Sequence, residues 1–335
     1  MDSLKDGIVS LIVPCYNGEQ VIERCLDSVM KQTCAHQIEL ILVNDGSTDA
    51  TNKIVDSHEK KLREVLYDFK YIVQENGGVG AAVNTALKIF TGEFLALLDA
   101  DDYMMPESVE IRYCWLKDHP DYAAVLNTGY YVTENDYFTS TNLFTQTKDF
   151  DEKNTFQQML DGKLLNWPGT YMLRSANWLK RCPDREIYPS RAGQNMQMLL
   201  PTIYHGKCGY IDQPLMRYLV QENSLSHFSN DQNGQKAFSM IYCFQDIYEH
   251  VIEAVCDDGE RDGLLLAIRI SSVRTRMGIA LKYKNQELVK KAMNELNALD
   301  AVSLNDKIQF YDLTHPTLGV FFHFIRRIKY MLHIR

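Results

Sequence analysis

The sequence predicts an α/β protein, a mainly parallel sheet flanked by helices, followed by a helical C-terminal region. Through the first hundred residues, short apolar segments alternate with segments of helical spacing. This alternation is typical of a parallel sheet covered on both faces. Residues 235–299 are rich in helix formers with apolar spacing, which predicts the helical region. We therefore expect a catalytic domain at 1–220, a helical region at 221–315 and a tail helix at 316–335.

The individual elements follow from local patterns. Apolar, β-branched runs predict buried strands, and Pro14 ends the first of them. Ser47 or Thr48 is suited to cap the second helix, which extends to about Leu66. The predicted order is strand 8–13, helix 21–29, strand 38–43, helix to 66, strand 69–73, turn 77–78, helix 79–90 and strand 93–98.

The pattern is weaker after residue 123. Two further strands are predicted at 123–126 and 130–133. Residues 138–153 are polar and rich in threonine, which predicts a long loop that covers a site. A helix is predicted at 194–204.

Composition narrows the class of protein. The 335 residues are 45% hydrophobic and 24% charged, as in soluble globular proteins. A net charge of -9 argues against nucleic acid as the main partner. The eight cysteines form no CxxC pair, and no apolar run of about 18 residues occurs. We expect a cytoplasmic protein with reduced thiols and no signal peptide.

Polar residues cluster directly after the predicted strands. Because the carboxyl ends of parallel strands meet at one edge of a sheet, these residues should lie close together and form a ligand site there. The residues are Tyr16, Asn17, Asp45, Asn76, Asp99 and Asp101.

The acidic turn, residues 99–102, indicates a metal site. Asp99, Asp101 and Asp102 repel one another unless water or a cation screens them. Mg²⁺ and Mn²⁺ prefer oxygen ligands and commonly use one or two carboxylates plus substrate phosphates. The alternative is a solvated acidic turn that caps the helix beginning near Pro106.

Four motifs in succession resemble the signatures of family 2 glycosyltransferases. They are VSLIVPCYNGE at 9–19, VNDGSTD at 43–49, ENGGVGAA at 75–82 and LDADDY at 98–103. The resemblance implies the GT-A fold, a UDP-sugar donor, a Mn²⁺ or Mg²⁺ ion and inversion at the anomeric carbon. Gly77-Gly78-Val79-Gly80 does not have the GxGxxG spacing of a dinucleotide loop.

The resemblance also implies roles for particular residues of the donor site. Asp45 would accept a hydrogen bond from the uracil ring, or else cap the next helix. Asp101 would bind the metal. His227 would contact the metal or the diphosphate, or else lie in a surface loop. The residues implied to line the nucleotide-sugar site are Pro14, Tyr16, Glu19, Asp45, Asn76, Gly77, Asp99, Ala100 and Asp101; for Tyr16, simple packing is the alternative.

The acceptor site departs from the family pattern. Residues 167–174 resemble the segment that floors the acceptor pocket, but Gln194-Asn195 stands where relatives carry a Glu-Asp pair. An amide cannot act as a general base at neutral pH. Three accounts remain open: Asp184 or Glu186 supplies the base, Gln194 and Asn195 only orient the acceptor, or the protein binds donor without transfer.

The C-terminal tail is basic and amphipathic. Arg326, Arg327, Lys329 and Arg335 occur without an acidic residue, while aromatic and aliphatic residues share one helix face. Such a helix suits an anionic membrane surface, and docking on the protein is the alternative. We expect transfer of a hexose or N-acetylhexosamine from a UDP-sugar to a hydroxyl of a lipid-linked glycan, at the inner face of the cell membrane.

Overall fold

The computed structural model describes residues 4–146, 148–190, 192–221 and 234–315. The chain divides into two compact units, Met1–Gln221 and Glu222–Arg335. The predicted tail helix at 316–335 lies outside the described residues. Within the described ranges, no helix combines the length and the apolar character needed to cross a bilayer.

The first unit is an α/β fold, as the alternating pattern predicts. Its strands are β1 Lys5–Cys15, β2 Ile38–Asn44, β3 Asp68–Val73, β4 Gly92–Leu97, β5 Tyr103–Met104, β6 Tyr122–Val132, β7 Asn142–Phe144, β8 Tyr171–Arg174 and β9 Lys207–Leu219. Its helices are α1 Ile22–Met30, α2 Thr51–Val65, α3 Val79–Leu87, α4 Ser108–Asp118, α5 Thr155–Leu160, α6 Ser175–Arg181 and α7 Gln194–Ile203, with a 3₁₀ turn at Ala35–Gln37.

The sheet is parallel in its first half and mixed in its second. The strand order is β3-β2-β1-β4-β8-β6-β9-β5, and β7 pairs with β6 outside this path. Strands β1 to β4 are mutually parallel, whereas β8 is antiparallel to both β4 and β6. Because β1, β2, β3 and β4 all end at one edge, the loops that follow them converge there.

The sheet is buried on both faces, so its strands are continuous apolar runs. Leu11 and Leu40 pack with Leu26 of α1 and Leu62 of α2 in one hydrophobic cluster. Residues of the opposite pleat, such as Ile12, are also fully buried. Helix α3 packs against β1 and β2, α6 against β4, and α7 against β6.

One buried charge lies at the amino-terminal edge of the sheet. The Glu39 carboxylate, in β2, accepts hydrogen bonds from Ser10 Oγ, Lys70 Nζ, and both the backbone N–H and Oγ of Thr91. Burial opposes ionisation of this carboxyl, but the hydrogen bonds from Lys70, Ser10 and Thr91 hold the pKa of Glu39 below its ordinary value. The network joins β1, β2, β3 and the start of β4.

Three local predictions are wrong. Neither Ser47 nor Thr48 caps α2: the helix begins at Thr51, Ala50 is at the N-cap position, and the Asp49 side chain accepts from the Thr51 N–H. The two strands expected near 123–133 are one strand, β6, whose pairing passes from β8 to β9 and β7. The expected loop at 138–153 contains β7, which gains its order by pairing with β6.

The second unit is helical where it is described. Its helices are α8 Gln235–Val255, α9 Asp258–Lys282, α10 Gln286–Ala298 and α11 Leu304–Thr314. Ser303 and Asp306 form a capping box at the start of α11, and Asn285 caps α10. Phe238, Met277 and Val289 belong to the core between α8, α9 and α10.

Candidate functional site

The loops after β1 and β2 are fastened to each other by side-chain hydrogen bonds. The Asn17 N–H donates to Ser47 Oγ at 2.8 Å, and the Asn17 side-chain oxygen accepts from the Thr48 N–H at 2.9 Å. The Glu19 carboxylate accepts from the Ala50 N–H at 3.0 Å, at the start of α2. The segment around Tyr16 is therefore fixed in position at the carboxyl edge of the sheet.

Tyr16 and Pro14 occupy different environments. Pro14 is buried in β1 opposite Val43, whereas the Tyr16 side chain is 54% exposed. An exposed aromatic ring on a fixed loop is available to stack against a ligand. Glu19 has a structural bond to α2 in addition to any contact it makes with a ligand.

Asp45 organises the loop that follows β3. One carboxylate oxygen accepts from Gln74 Nε2 at 2.7 Å and from the Gly77 N–H at 3.0 Å, and the other accepts from the Gly78 N–H at 2.7 Å. Asn76 Nδ2 donates to the Asp45 carbonyl at 2.9 Å. A carboxylate has about four lone-pair positions, so these three bonds leave one position for a ligand N–H.

The acidic turn is a compact turn directly after β4. The Asp102 N–H donates to the Asp99 carbonyl at 3.1 Å, and one carboxylate oxygen from each of Asp99, Asp101 and Asp102 lies within 4.8 Å of the others. Ala100 is half-buried and packs against the core of the sheet. This arrangement is the three-carboxylate cluster that the sequence predicts.

Electrostatics in the acidic turn favour a cation. Burial, with repulsion from Asp101, raises the pKa of Asp99 to about 8. Burial and the neighbouring carboxylates also raise the pKa of Asp102 well above its ordinary value. Burial raises the pKa of Asp101, although the charge of Arg24 counteracts this effect. A divalent cation would keep all three groups ionised.

The oxygen atoms present fit Mn²⁺ or Mg²⁺. Asp102 accepts from the Leu219 N–H at 3.0 Å through one oxygen, while its second oxygen is buried and has no hydrogen-bond partner among the described residues. An unpaired buried carboxylate oxygen is costly unless a ligand completes it. Asp101, with Asp99 and Asp102 beside it, supplies the hard oxygen ligands that these ions prefer.

A hydrogen bond connects Asn195 with Tyr171, which lies in β8, the strand next to β4. Segment 167–170 adjoins the end of β4, since the Gly169 N–H donates to the Leu97 carbonyl at 2.6 Å. The phenol of the buried Tyr171 donates to the Asn195 side-chain oxygen at 3.3 Å. Burial, together with the Asp99 carboxylate, raises the pKa of Tyr171. Gln194 is nearly buried at the start of α7.

Asp184 and Glu186 lie elsewhere. The Lys88 ammonium contacts the Asp184 carbonyl at 2.7 Å and the Glu186 carboxylate at 2.5 Å, beyond the carboxyl end of α3. This end of α3 leads into the start of β4, whereas the acidic turn follows the other end of that strand. The structure therefore does not bring these two carboxylates to the acidic turn.

Segment 184–190 nevertheless connects the edge of the sheet at which β4 begins with the edge at which β4 ends. Its direction is antiparallel to α3, as two sets of hydrogen bonds show. The Ile187 backbone exchanges two hydrogen bonds with the Asn84 side chain, and the Gly80 N–H donates to the Ser190 carbonyl at 3.0 Å. A Cβ on Gly80 would approach Ser190 backbone atoms to 2.6 and 2.7 Å. The glycine thus permits the close contact that directs the chain toward Gln194 and Asn195.

Several residues around the acidic turn were not predicted from the sequence. Gln221 Nε2 donates to an Asp101 carboxylate oxygen at 3.0 Å, and the Tyr137 hydroxyl donates to the Asp101 carbonyl at 3.1 Å. Both lie more than 30 residues from the turn along the chain, and no local pattern connects them with it. His227, predicted to contact the metal or diphosphate, lies outside the described residues.

Comparison with known proteins identifies the family. The model of glycosyl transferase family 2 matches residues 10–182, just over half of the chain. Glycosyltransferase GlyA of Streptococcus pneumoniae is 31% identical over 224 residues, which are 65% of this chain and 29% of that protein. Putative glycosyltransferase EpsH of Bacillus subtilis is 43% identical over 102 residues, 30% of this chain and 28% of that protein. The chain thus spans less than a third of these curated relatives.

Solved structures share the fold over almost the whole chain. Staphylococcus aureus TarS 1-349 in complex with UDP-GlcNAc aligns with a TM-score of 0.60 and 19% identity, covering 97% of this chain and 92% of that one. Mannosyltransferase PcManGT from Pyrobaculum calidifontis, in complex with GDP-Man and Mn²⁺, aligns with a TM-score of 0.55 and 16% identity, covering 100% and 91%.

The mixed α/β sheet, with the acidic turn at its carboxyl edge, has the GT-A fold of these solved structures. The chain belongs to glycosyl transferase family 2. The predicted family and fold are therefore confirmed.

Proposed function

We propose that this enzyme transfers a hexose or N-acetylhexosamine from a UDP-sugar to a hydroxyl of a glycan acceptor, with Mn²⁺ or Mg²⁺ and with inversion. The observation that carries the proposal is the convergence of Asp45, the Gly77-Gly78 loop and the acidic turn at one sheet edge. The complexes of TarS with UDP-GlcNAc and of PcManGT with GDP-Man and Mn²⁺ support a nucleotide-sugar donor and a metal ion by analogy of fold.

In this proposal the first three loops bind the nucleoside. Tyr16 stacks on the uracil ring, and the open lone pair of Asp45 accepts from the ring N–H. Asn76 and Gly77 face the ribose or the diphosphate. Asp99 and Ala100 face the ribose, while Pro14 and Glu19 hold the Tyr16 loop in place. The hydrogen bonds among Asn17, Ser47 and Thr48 support this assignment, because they fix the loop before a ligand arrives.

In the same proposal the acidic turn binds the metal, chiefly through Asp101, with His227 as a further candidate. A bound divalent ion neutralises charge that develops on the leaving diphosphate. Asp99 and Asp102 hold negative charge around that position. The Leu219 N–H donates to one oxygen of Asp102 and so orients the other, buried oxygen. These residues orient the donor so that the acceptor approaches the anomeric carbon from the opposite side.

The acceptor side is assigned to Gln194 and Asn195. We infer that these amides orient the acceptor hydroxyl, whose proton leaves to the donor diphosphate or to water. The hydrogen bond from the Tyr171 phenol to the Asn195 side chain supports a fixed orientation of that amide. The positions of Asp184 and Glu186 beside Lys88 argue against either as the general base. A lipid-linked acceptor and attachment of the tail at 316–335 to an anionic membrane surface complete the proposal.

A nucleotide-sugar-binding protein without transfer activity is the second candidate. One observation favours it: amide side chains stand at the acceptor position, and an amide cannot accept a proton at neutral pH.

Incubation of the purified protein with a panel of UDP-sugars and acceptors separates the two candidates. We expect transfer or hydrolysis only with Mn²⁺ or Mg²⁺, and loss of turnover in Asp101→Ala. Asp56→Ala, which alters an exposed carboxylate on α2, should retain activity. Turnover that survives chelation would contradict the metal role, and metal-dependent UDP binding without turnover would favour the second candidate.

A further inference from the structure

The connection between β6 and β7 folds over the acidic turn. We call this segment, residues 133–140, the brace loop. It is closed at its base, where the Thr133 N–H donates to an Asp136 carboxylate oxygen at 2.6 Å and Ser140 Oγ donates to the Tyr131 carbonyl at 2.7 Å. The loop is therefore a defined turn with its own hydrogen bonds.

Tyr137 connects the brace loop to the acidic turn. Its side chain is only 4% exposed, and its hydroxyl donates to the Asp101 carbonyl at 3.1 Å. Its ring meets the ring of Tyr103, two residues beyond Asp101, at a centroid distance of 6.4 Å and nearly perpendicular. A buried phenol normally finds one hydrogen-bond partner, and here that partner is the backbone of the residue proposed to bind the metal.

Two arginines fix the brace loop. The Arg24 guanidinium lies 3.7 Å from the centroid of the Tyr137 ring and forms a two-point ion pair with Glu134, at 2.9 and 3.0 Å. Arg217, in β9, donates to the carbonyls of Tyr137 and Ser140 at 3.1 and 3.3 Å. A planar guanidinium that stacks on a ring and pairs with a carboxylate restricts both groups.

We propose that Tyr137 is a positioning residue for the metal site: its hydroxyl fixes the Asp101 carbonyl and thereby the direction of the Asp101 carboxylate. Arg24 acts through Tyr137 by holding its ring over the acidic turn. The carboxylates of Asp99 and Asp102 repel that of Asp101, so the turn needs an anchor on its backbone to keep the three groups convergent. This inference rests on the proposed function, because it takes the acidic turn as the metal site.

Partners that orient metal ligands typically change metal affinity by about 10-fold to 100-fold when they are removed. Because Tyr137 acts on the Asp101 backbone rather than on its carboxylate, we expect the lower figure. Tyr137→Phe keeps the ring and its contacts and deletes only the hydroxyl, so the fold should be retained.

The test is a titration of the full chain with Mn²⁺ alone, in which the electron paramagnetic resonance signal measures the concentration of free ion. Tyr137→Phe should weaken Mn²⁺ binding about 10-fold, with the thermal midpoint within a few degrees of wild type. Arg24→Lys keeps the charge but loses the planar stacking, so it should weaken binding about threefold. The control is Tyr122→Phe, which removes a phenol that donates to Glu152 at 2.6 Å; its Mn²⁺ affinity should stay within about twofold of wild type.

The outcomes separate the positioning role of Tyr137 from the metal role of the acidic turn. If wild type binds Mn²⁺ while Tyr137→Phe and Arg24→Lys bind it as tightly as Tyr122→Phe, the positioning role is wrong and the proposed function stands. If affinity falls only in proportion to a loss of folded protein, Tyr137 has a structural role alone. If Tyr137→Phe does not fold, Arg24→Lys decides. If wild type does not bind Mn²⁺, the metal role of the acidic turn fails and this inference fails with it.

Discussion

Replacement of Asp45 by asparagine tests whether this carboxylate organises the donor site. In the structure its two oxygens accept three hydrogen bonds, from Gln74, Gly77 and Gly78. An asparagine keeps the shape of the side chain but replaces one oxygen with a donor. In its best orientation the remaining oxygen keeps the Gln74 and Gly77 bonds, and the new NH₂ group faces the Gly78 N–H.

The cost follows from the bond that is lost. A hydrogen bond to a charged group contributes about 1.5–3 kcal/mol. Gly78 is only half-buried, so water replaces part of the loss and the lower end applies. We therefore expect Asp45→Asn to lower the free energy of unfolding of the first unit by about 1.5 kcal/mol.

Urea denaturation followed by tryptophan fluorescence measures this change. Trp115, Trp167 and Trp178 are the three tryptophans of the chain, and all lie in the first unit, so the signal reports that unit alone. Asp56→Asn, at an exposed position on α2, should change the free energy of unfolding by less than about 0.5 kcal/mol. If Asp45→Asn is as stable as this control, the three bonds do not organise the loop and the reasoning is refuted.

Three further predictions concern the sheet, the connection along α3 and the acceptor side. Glu39→Gln should destabilise the first unit by about 2 kcal/mol at pH 7. Because the folded-state pKa of Glu39 is lowered, its stabilising effect is lost as pH falls below about 4.5, and the variant should show a flatter acid-unfolding curve. Gly80→Ala should lower the free energy of unfolding by about 1–3 kcal/mol in the same urea assay, because the added Cβ would press on the Ser190 backbone. An unchanged denaturation midpoint would contradict the close contact. Asn195→Ala should keep the UDP affinity within about twofold of wild type but lower the rate of transfer about tenfold, which is the effect of losing one orienting hydrogen bond. Equal losses of affinity and of transfer rate would contradict a role in acceptor binding.

The first hundred residues could be predicted well because their information is local. Buried parallel strands give continuous apolar runs, and the loops between them carry motifs that the family model also matches. The position of Asp45 and Asp101 at the same edge of the sheet follows from parallel topology alone. The cap of α2 was predicted wrongly, since Ala50, rather than Ser47 or Thr48, is at the N-cap position.

The second half could not be predicted to the same extent, since its order depends on distant contacts. β7 forms because it pairs with β6, and residues 184–190 are positioned by backbone contacts along α3. The bonds from Tyr137 and Gln221 to Asp101 span 36 and 120 residues. Patterns of neighbouring residues carry no signal for contacts of this kind.

The most direct test of the account is the affinity of wild-type protein for UDP, measured by calorimetry with Mn²⁺ and again with a chelator. If the acidic turn holds a cation against the diphosphate, Mn²⁺ should tighten UDP binding at least about tenfold, or about 1.4 kcal/mol. Asp101→Asn should remove this gain while retaining the metal-independent part that Asp45 and Tyr16 provide. An equal UDP affinity with Mn²⁺ and with chelator would contradict the central claim that the acidic turn is the metal half of a nucleotide-sugar site.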